Sequence, residues 1–514
     1  MINNNKLKTI LLVACIGLTV TGCKKTWLDI NTNPNSLPPT RPDFEFTAAI
    51  GRNAAVLGAN EIGSYWSAQM TQSSTYAYSA PNFSYSFNNT NFNFWDGWYD
   101  ILEDLEYAIT KADENGLPAI KGPAKIIKAH IFQELVDVYG NIPFTDALKG
   151  SGSLAPKFDD QKTVYEGLIT LLDQAIADIK ANPFDVVSSA ADVIFKGGTG
   201  GTTSWIRLAN SLKLRILIRQ SRITGRDAYI TTEINKAAAT SEGFLAAGQD
   251  AGANPGYTAA SGQTNPFYDN WGYDANAATR ALGRFPRPTT YLFNLMKATN
   301  DTFRLKRLFY TSGGESTTVP GVSALPEIIA NYVAIPYGSA SGFLAQVTSP
   351  IGPALIKRGT VNNPMYLMTA AESFLLLAEA KQRYPTLTLS GTAQTYYEQG
   401  VKESFRVTGT AASAATTLLT SGKDLADWTA SPDKLKAIWQ QKWLALVHYG
   451  GLEAWSEFRR TNYPVIPLSV SAPVGQKLPL RLLYPSTEVG SNGENIKSQG
   501  PVDVFSTRIF WDVD

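Results

Sequence analysis

The chain has 514 residues and 55.8 kDa, enough for a large core and, by ordinary domain sizes, for two to four domains. With 45 basic against 44 acidic residues the formal charge is +1, which gives no electrostatic case for nucleic acid. Two His and two Cys leave few ligands for a zinc or iron–sulfur centre, and 44% hydrophobic residues exclude disorder for most of the chain.

Lys6 and Lys8 precede an apolar run from Ile10 to Val20, too short for a membrane span and suited to a secretory signal peptide. The run ends in Val20-Thr21-Gly22-Cys23, which resembles the bacterial lipobox. Residues 1–22 are therefore expected to be removed and Cys23 to be lipidated, with 23–42 as a polar, proline-bearing tether. Loss of Lys6 and Lys8 leaves 43 basic against 44 acidic residues, so membrane attachment is expected through lipid and not charge. Residues 43–514 are read as a single mostly helical domain with long loop insertions.

Helical spacing begins with Trp95, Trp98, Leu102 and Leu105, which read as core. Ile127, Ile131, Leu135 and Val138 make a second stripe, stopped by Gly140 and Pro143. Tyr165, Leu168, Leu172, Ile176 and Ile179 make a third, with Asp159-Asp160 at its positive end. Gly197 to Gly201 reads as a flexible loop, and Trp205 to Arg222 as a helix with a basic face of Arg207, Lys213, Arg215, Arg219 and Arg222. Met365 to Arg383 reads as a central helix. Leu435, Trp439, Trp443 and Leu446 form a last stripe, opened by Ser431 as N-cap and Pro432 at the first position. Strand patterns are few, at 481–484 and 508–511, and no helical repeat period stands out.

Two long aperiodic segments, Ser73 to Asn93 and Gln249 to Arg287, have the length of binding loops. Tyr76, Tyr78, Phe83 and Tyr85 lie in the first among Ser, Asn and Pro, where no regular element accounts for their burial. The second offers Tyr268, Asp269, Trp271 and Tyr273. Aromatic faces stack on the C–H side of sugar rings while Asp and Asn bond the hydroxyls; a peptide could use the same surface. These eight residues are the candidate ligand contacts.

Catalytic and metal patterns are weaker. His130 and Glu134 share a helix face at i, i+4, but no third His or Cys accompanies them, so a hydrogen-bonded pair on the helix surface is expected. Asp159-Asp160 and Glu103 with Glu106 invite a glycosidase reading, set against helix capping and a solvated face. No P-loop, G-x-S-x-G or H-E-x-x-H motif occurs, and no cofactor is implied.

Several stretches together resemble the SusD/RagB family of outer-membrane nutrient-binding lipoproteins, in particular its second SusD-like subgroup. They are the lipobox with Leu28 to Asn35, Gln133 to Phe144, Ala370 to Ala380, Gly451 to Arg460, and the closing Arg481 to Pro485 and Arg508 to Asp512. The resemblance implies tetratricopeptide-like helix pairs with a loop-rich ligand region, and a non-enzymatic role. It also implies capture of oligosaccharide or peptide for a SusC-like TonB-dependent barrel at the outer membrane, on the cell surface. Lys24-Lys25 stand where surface-exported members often carry acidic residues, a departure that bears on the membrane face and not on lipidation. A surface glycoside hydrolase and a protein-binding adhesion lipoprotein are the alternatives.

Overall fold

The computed structural model describes residues 40–59, 61–314 and 325–513; Cys23, the expected signal peptide and most of the tether lie outside them. From Pro42 onward the chain forms one unit whose frame is helical. In chain order the frame comprises α1 (Pro42–Ala59), α2 (Ile62–Trp66), α3 (Trp95–Lys111), α4 (Lys121–Tyr139), α5 (Gln161–Ala181), α6 (Gly198–Arg219) and α7 (Asp227–Ala238). It continues with α8 (Pro266–Trp271), α9 (Ala370–Arg383), α10 (Ala393–Val407), α11 (Lys434–Ala445) and α12 (Gly451–Thr461). Neighbours pack in succession: α3 on α4, α4 on α5, α5 on α6, then α6 on α9, α9 on α10 and α11. Among the described residues no helix is long and apolar enough to cross a membrane.

The stripes read from sequence face the core. Trp98, Leu102 and Leu105 of α3 are buried, as are Leu168, Leu172 and Ile179 of α5, each contributing about 2 kcal/mol. Asp160 caps α5 through its carboxylate, which accepts from the backbone N–H groups of Lys162 (3.0 Å) and Thr163 (3.3 Å), worth about 1 kcal/mol. Helix α4 is buried almost all round and ends at Gly140, whose φ of +82° turns the chain. A Cβ there would stand 3.0 Å from the Arg481 guanidinium, which closes the helix end by donating to Tyr139 O.

Several expectations are corrected. Gly198 to Gly201 form the first turn of α6 and not a flexible loop. Met365–Met368 is a strand, and Thr369 caps α9 only after it. Helix α11 opens at Asp433, whose carboxylate accepts from Lys436 N (3.1 Å); Ser431 instead bonds the preceding turn through Leu425 N and Asp427 O. Segments 481–484 and 508–511 are not strands. They lie against α4 and α5 through isolated bonds, such as Leu482 N to Val138 O (2.8 Å) and Trp511 Nε1 to Asp137 Oδ1 (2.9 Å). The strands are β1 (Met70–Gln72), β2 (Ala251–Ala253), β3 (Pro286–Pro288) and β4 (Met365–Met368). They make two antiparallel ribbons, β1 with β3 (Met70 opposite Pro288) and β2 with β4.

The largest correction concerns the basic face of α6. Lys213, Arg215 and Arg219 point inward and are buried. Arg215 grips Glu372 of α9 with two 2.7 Å bonds. Arg219 donates to Glu453 and to Glu457 (3.2 Å) of α12, and Lys442 of α11 reaches the same two carboxylates at 3.1 and 3.3 Å. Arg460 holds Glu379 at 2.7 and 2.8 Å and Glu457 at 2.6 Å. A carboxylate would be raised by burial alone, but Arg460 and Arg383 outweigh it and hold Glu379 down to about 2. Glu453 is likewise held low against its burial by Arg219, Lys442 and Arg215.

Candidate functional site: a loop surface and a polar pocket

The two long loops meet. The β1–β3 ribbon staples their ends, Ser73 N donates to Phe285 O (2.9 Å), and the Tyr76 hydroxyl donates to Ala281 O. A third segment joins them: Ser74 N donates to Phe343 O (2.8 Å) and Ala345 N to Thr75 Oγ1 (2.8 Å). Around this junction Tyr76 and Tyr78 are half-buried, while Leu282 (50%), Leu344 (50%) and Val347 (54%) stand well exposed. The Tyr76 ring meets Phe285 edge-on at 5.8 Å, and Tyr78 OH shares a 3.0 Å hydrogen bond with Ser84 Oγ. Rings with one supported edge and one open side can stack on a ligand without reordering first.

Four of the expected ring contacts are inside. Phe83 is fully buried between Tyr65 (5.1 Å) and Tyr337 (6.0 Å), and Tyr85, at φ +55°, shares a 3.3 Å hydroxyl contact with Tyr337. Tyr268 and Tyr273 are buried against each other at 5.6 Å, with Tyr268 OH accepting from Gly359 N (3.0 Å). The expectation that these four stand open in their loops is therefore corrected: Phe83 closes a one-turn helix (Ala80–Phe83) and Tyr268 lies on α8, while Tyr85 and Tyr273 lie outside helices and are covered by neighbouring segments. Trp271 is half-buried, its Nε1 donating to Gly58 O (3.0 Å), and Asp269 pairs with Arg280 at the surface. Leu282, Phe343 and Leu344 were missed by the sequence reading. The signal available for the last two is an apolar pair directly after the Gly/Ser-rich run 338–342.

A second concavity, of about 120 Å³, lies where α2, α4, α6 and α12 meet the segments 354–367 and 448–450. Its lining passes from half-buried Leu57, Tyr366 and Tyr449 to buried Glu61, His130, Glu134 and His448, exposed 5%, 2%, 5% and 8%. His130 and Glu134 are thus not a surface pair, because α4 has no solvent face at these positions. Burial pushes the carboxyls of Glu61 and Glu134 up to about 8; Asp137 adds to the rise at Glu134, against Arg215. Burial likewise lowers both imidazoles to about 3, with Arg215 assisting at His130. Among the described residues no cluster of three His, Cys, Asp or Glu could hold a metal ion. The sequence signals were slight: an acid before the apolar run Ile62 to Trp66, and a rare His inside Trp443 to Tyr449.

Asp159 and Asp160 serve structure. Asp160 caps α5, and Asp159 accepts from Phe144 N (3.0 Å), Thr145 N (2.8 Å) and Thr145 Oγ1 (2.8 Å). Glu103 is exposed, and Glu106 pairs with Lys128 at 2.5 Å.

With this geometry in hand, the chain matches across residues 47–485 the model of a SusD-like family, described as starch-binding and associating with the outer membrane. Its fold is shared with a SusD homolog from Bacteroides fragilis (TM-score 0.73, 24% identity, 92% of this chain and 99% of that one). A chitin-binding SusD homolog from Flavobacterium johnsoniae gives the same figures. A SusD homolog from Bacteroides uniformis follows at TM-score 0.71 and 22% identity, over 92% of this chain and 100% of that one. No curated protein matches the chain.

Proposed function

Because the chain belongs to the SusD-like family of starch-binding proteins that associate with the outer membrane, we propose that it is a lipid-anchored binding protein. In this reading it captures an oligosaccharide and delivers it to a SusC-like TonB-dependent barrel. The observation that carries the reading is the loop junction, where half-buried Tyr76 and Tyr78 stand beside exposed Leu282, Leu344 and Val347. Trp271 and Asp269 extend the surface on the second loop. An aromatic edge with nearby Ser and Asn side chains suits a sugar ring with its hydroxyls better than a peptide backbone, which seeks an open strand edge. The chitin-binding homolog supports the same ligand class. The reading is non-catalytic, since Asp159 and Asp160 are both occupied by backbone N–H groups.

Calorimetry with starch and chitin oligosaccharides tests it. Tyr76→Ala, Tyr78→Ala and Trp271→Ala should each weaken binding about tenfold, on the order of 1–2 kcal/mol, without loss of fold. Unchanged affinity in all three would remove the loop junction from the site. Time-dependent cleavage of the same oligosaccharides would favour the hydrolase. Mass spectrometry should find acylated Cys23 at the mature N-terminus, and Cys23→Ala should leave the membrane fraction when no barrel is expressed. Gentle detergent extraction should recover a large barrel with this chain; recovery of the chain alone, with the neighbouring barrel expressed, would argue against delivery.

A further inference from the structure

We infer that the polar pocket between α2, α4 and α12 is a second ligand site, built for a small organic primary ammonium ion. The inference goes beyond oligosaccharide capture and is independent of it. Its first support is the inventory of unpaired buried atoms. Glu61 Oε2, His130 Nδ1 and both ring nitrogens of His448 have no hydrogen-bond partner, and all three side chains line the cavity. Leaving such groups bare costs roughly 1–3 kcal/mol each.

The free atoms have a consistent character. His130 bonds the backbone of Leu367, in the sense that favours its protonated form, so that nitrogen is the donor and Nδ1 is left as an acceptor. Glu61 Oε2 is an acceptor once ionised, and His448 offers one acceptor nitrogen in its neutral form. The pocket therefore presents acceptors in excess, and an ammonium group brings three donors and no acceptor.

Charge points the same way. Of the ionisable groups in the lining, Arg215 is matched by Glu372, and Glu453 by Arg219 and Lys442. Glu61 and Glu134 form no ion pair among the described residues. Arg215 and Arg219 act on Glu134 but are engaged by Glu372, Glu453 and Glu457, and no cation acts on Glu61, so the unmatched charge in the cavity is that of a carboxylate. An anion would meet two carboxyls, and a divalent metal finds no three-ligand cluster. The half-buried Tyr366 and Tyr449, with ring centroids 5.5 Å apart, and Leu57 give the organic tail an apolar wall. The volume of about 120 Å³ accepts roughly four waters or a molecule of a few heavy atoms.

Calorimetry and ligand-observed NMR on the full chain in detergent, with n-propylamine against 1-propanol, test the site. Propylammonium should bind saturably at millimolar concentration, and propanol about tenfold more weakly or not at all. Glu61→Gln, close in shape, should weaken propylammonium about tenfold without lowering the melting temperature. Glu134→Gln is the second variant should the first fail to fold. The groups facing these carboxyls are few: the Ser64 hydroxyl and the neutral Tyr65 phenol beside Glu61, and the charged Asp137, Arg215, Arg219 and Glu453 around Glu134. A cation displaces the carboxyl proton, so affinity should rise from about pH 6 to about pH 9, with proton release at the lower end. Equal binding of propanol, unchanged affinity in Glu61→Gln and Glu134→Gln, or no saturable binding of the amine would each overturn the assignment.

Discussion

The helical spine and the loop junction solve the same packing problem with opposite materials. Where α6, α9, α11 and α12 meet, the interior is ionic: Arg215, Arg219, Lys442 and Arg460 are matched by Glu372, Glu379, Glu453 and Glu457. Where the loops meet, it is aromatic, with Tyr65, Phe83, Tyr85, Phe285 and Tyr337 in mutual contact and backbone bonds joining segments distant in sequence. Helices satisfy their own backbones and can direct side-chain charge inward against fixed partners. Loops must use one another for backbone bonds, and rings fill the gaps those irregular paths leave. A matched ionic spine is rigid in register, whereas a ring cluster can leave its outermost members half open. That difference places the candidate binding surface on the loops.

The contrast can be broken first in the spine. Arg460→Met removes the two-pronged partner of Glu379, leaving it Arg383 alone, and one of three cations at Glu457, and should cost roughly 3–5 kcal/mol in urea unfolding. A loss below about 1 kcal/mol would show that the ionic register is dispensable. In the loop cluster, Phe83→Ala should cost about 3 kcal/mol by leaving a cavity between Tyr65 and Tyr337, measured in the same way.

Acid should act strongly on the helical side. His130 and His448 are held neutral, with folded values lowered to about 3, so the unfolded chain binds more protons as pH falls below about 6.5 and stability declines. Glu379 and Glu453 are held below their unfolded values; their contribution is present above about pH 4.5 and is lost toward the folded value, about 2 for Glu379. Thermal melts should therefore fall from about pH 4.5 to pH 3, whereas between about pH 6.5 and pH 4.5 the histidine loss is offset by Glu61 and Glu134, which are raised to about 8; no fall below pH 4.5 would contradict the burial of these groups. Glu61 carries the opposite sign. Its raised value makes the folded state lose stability as pH rises from about 4.5 to about 8, so Glu61→Gln should gain on the order of 1 kcal/mol relative to the parent at alkaline pH and little at pH 4. The smallest effect is expected at the rim: Tyr76→Ala should change stability by less than about 1 kcal/mol while weakening oligosaccharide binding, which separates rim rings from core rings.

The helical frame was legible because periodicity survives context. The stripes through Trp98, Leu135, Leu168 and Leu172 are buried as spaced, since one apolar face per helix has one place to go. Boundaries slipped where two local signals competed. Pro432 can open a helix, but the Asp433 carboxylate reaches Lys436 N, and the helix starts there. Charge misled most. Five basic residues on one segment read as a basic face, but the acidic partners that draw Arg215 and Arg219 inward, on α9 and α12, lie more than a hundred residues away and no local pattern announces them.

The sequence by itself determined the helical class and the family likeness, both of which rest on local spacing or ordered motifs; of the two long segments read as loops, the second carries β2, α8 and the start of β3. Tertiary structure alone decided which aromatics are open and which acids are free. Tyr76 and Phe83 share a loop and a composition, yet one is half-buried and the other sealed between Tyr65 and Tyr337. Glu61 and Glu372 are both buried acids, yet only Glu372 faces an arginine. The physical reason is the same in both cases: exposure and charge compensation are set by neighbours brought from far along the chain, and a residue's own segment carries no record of them.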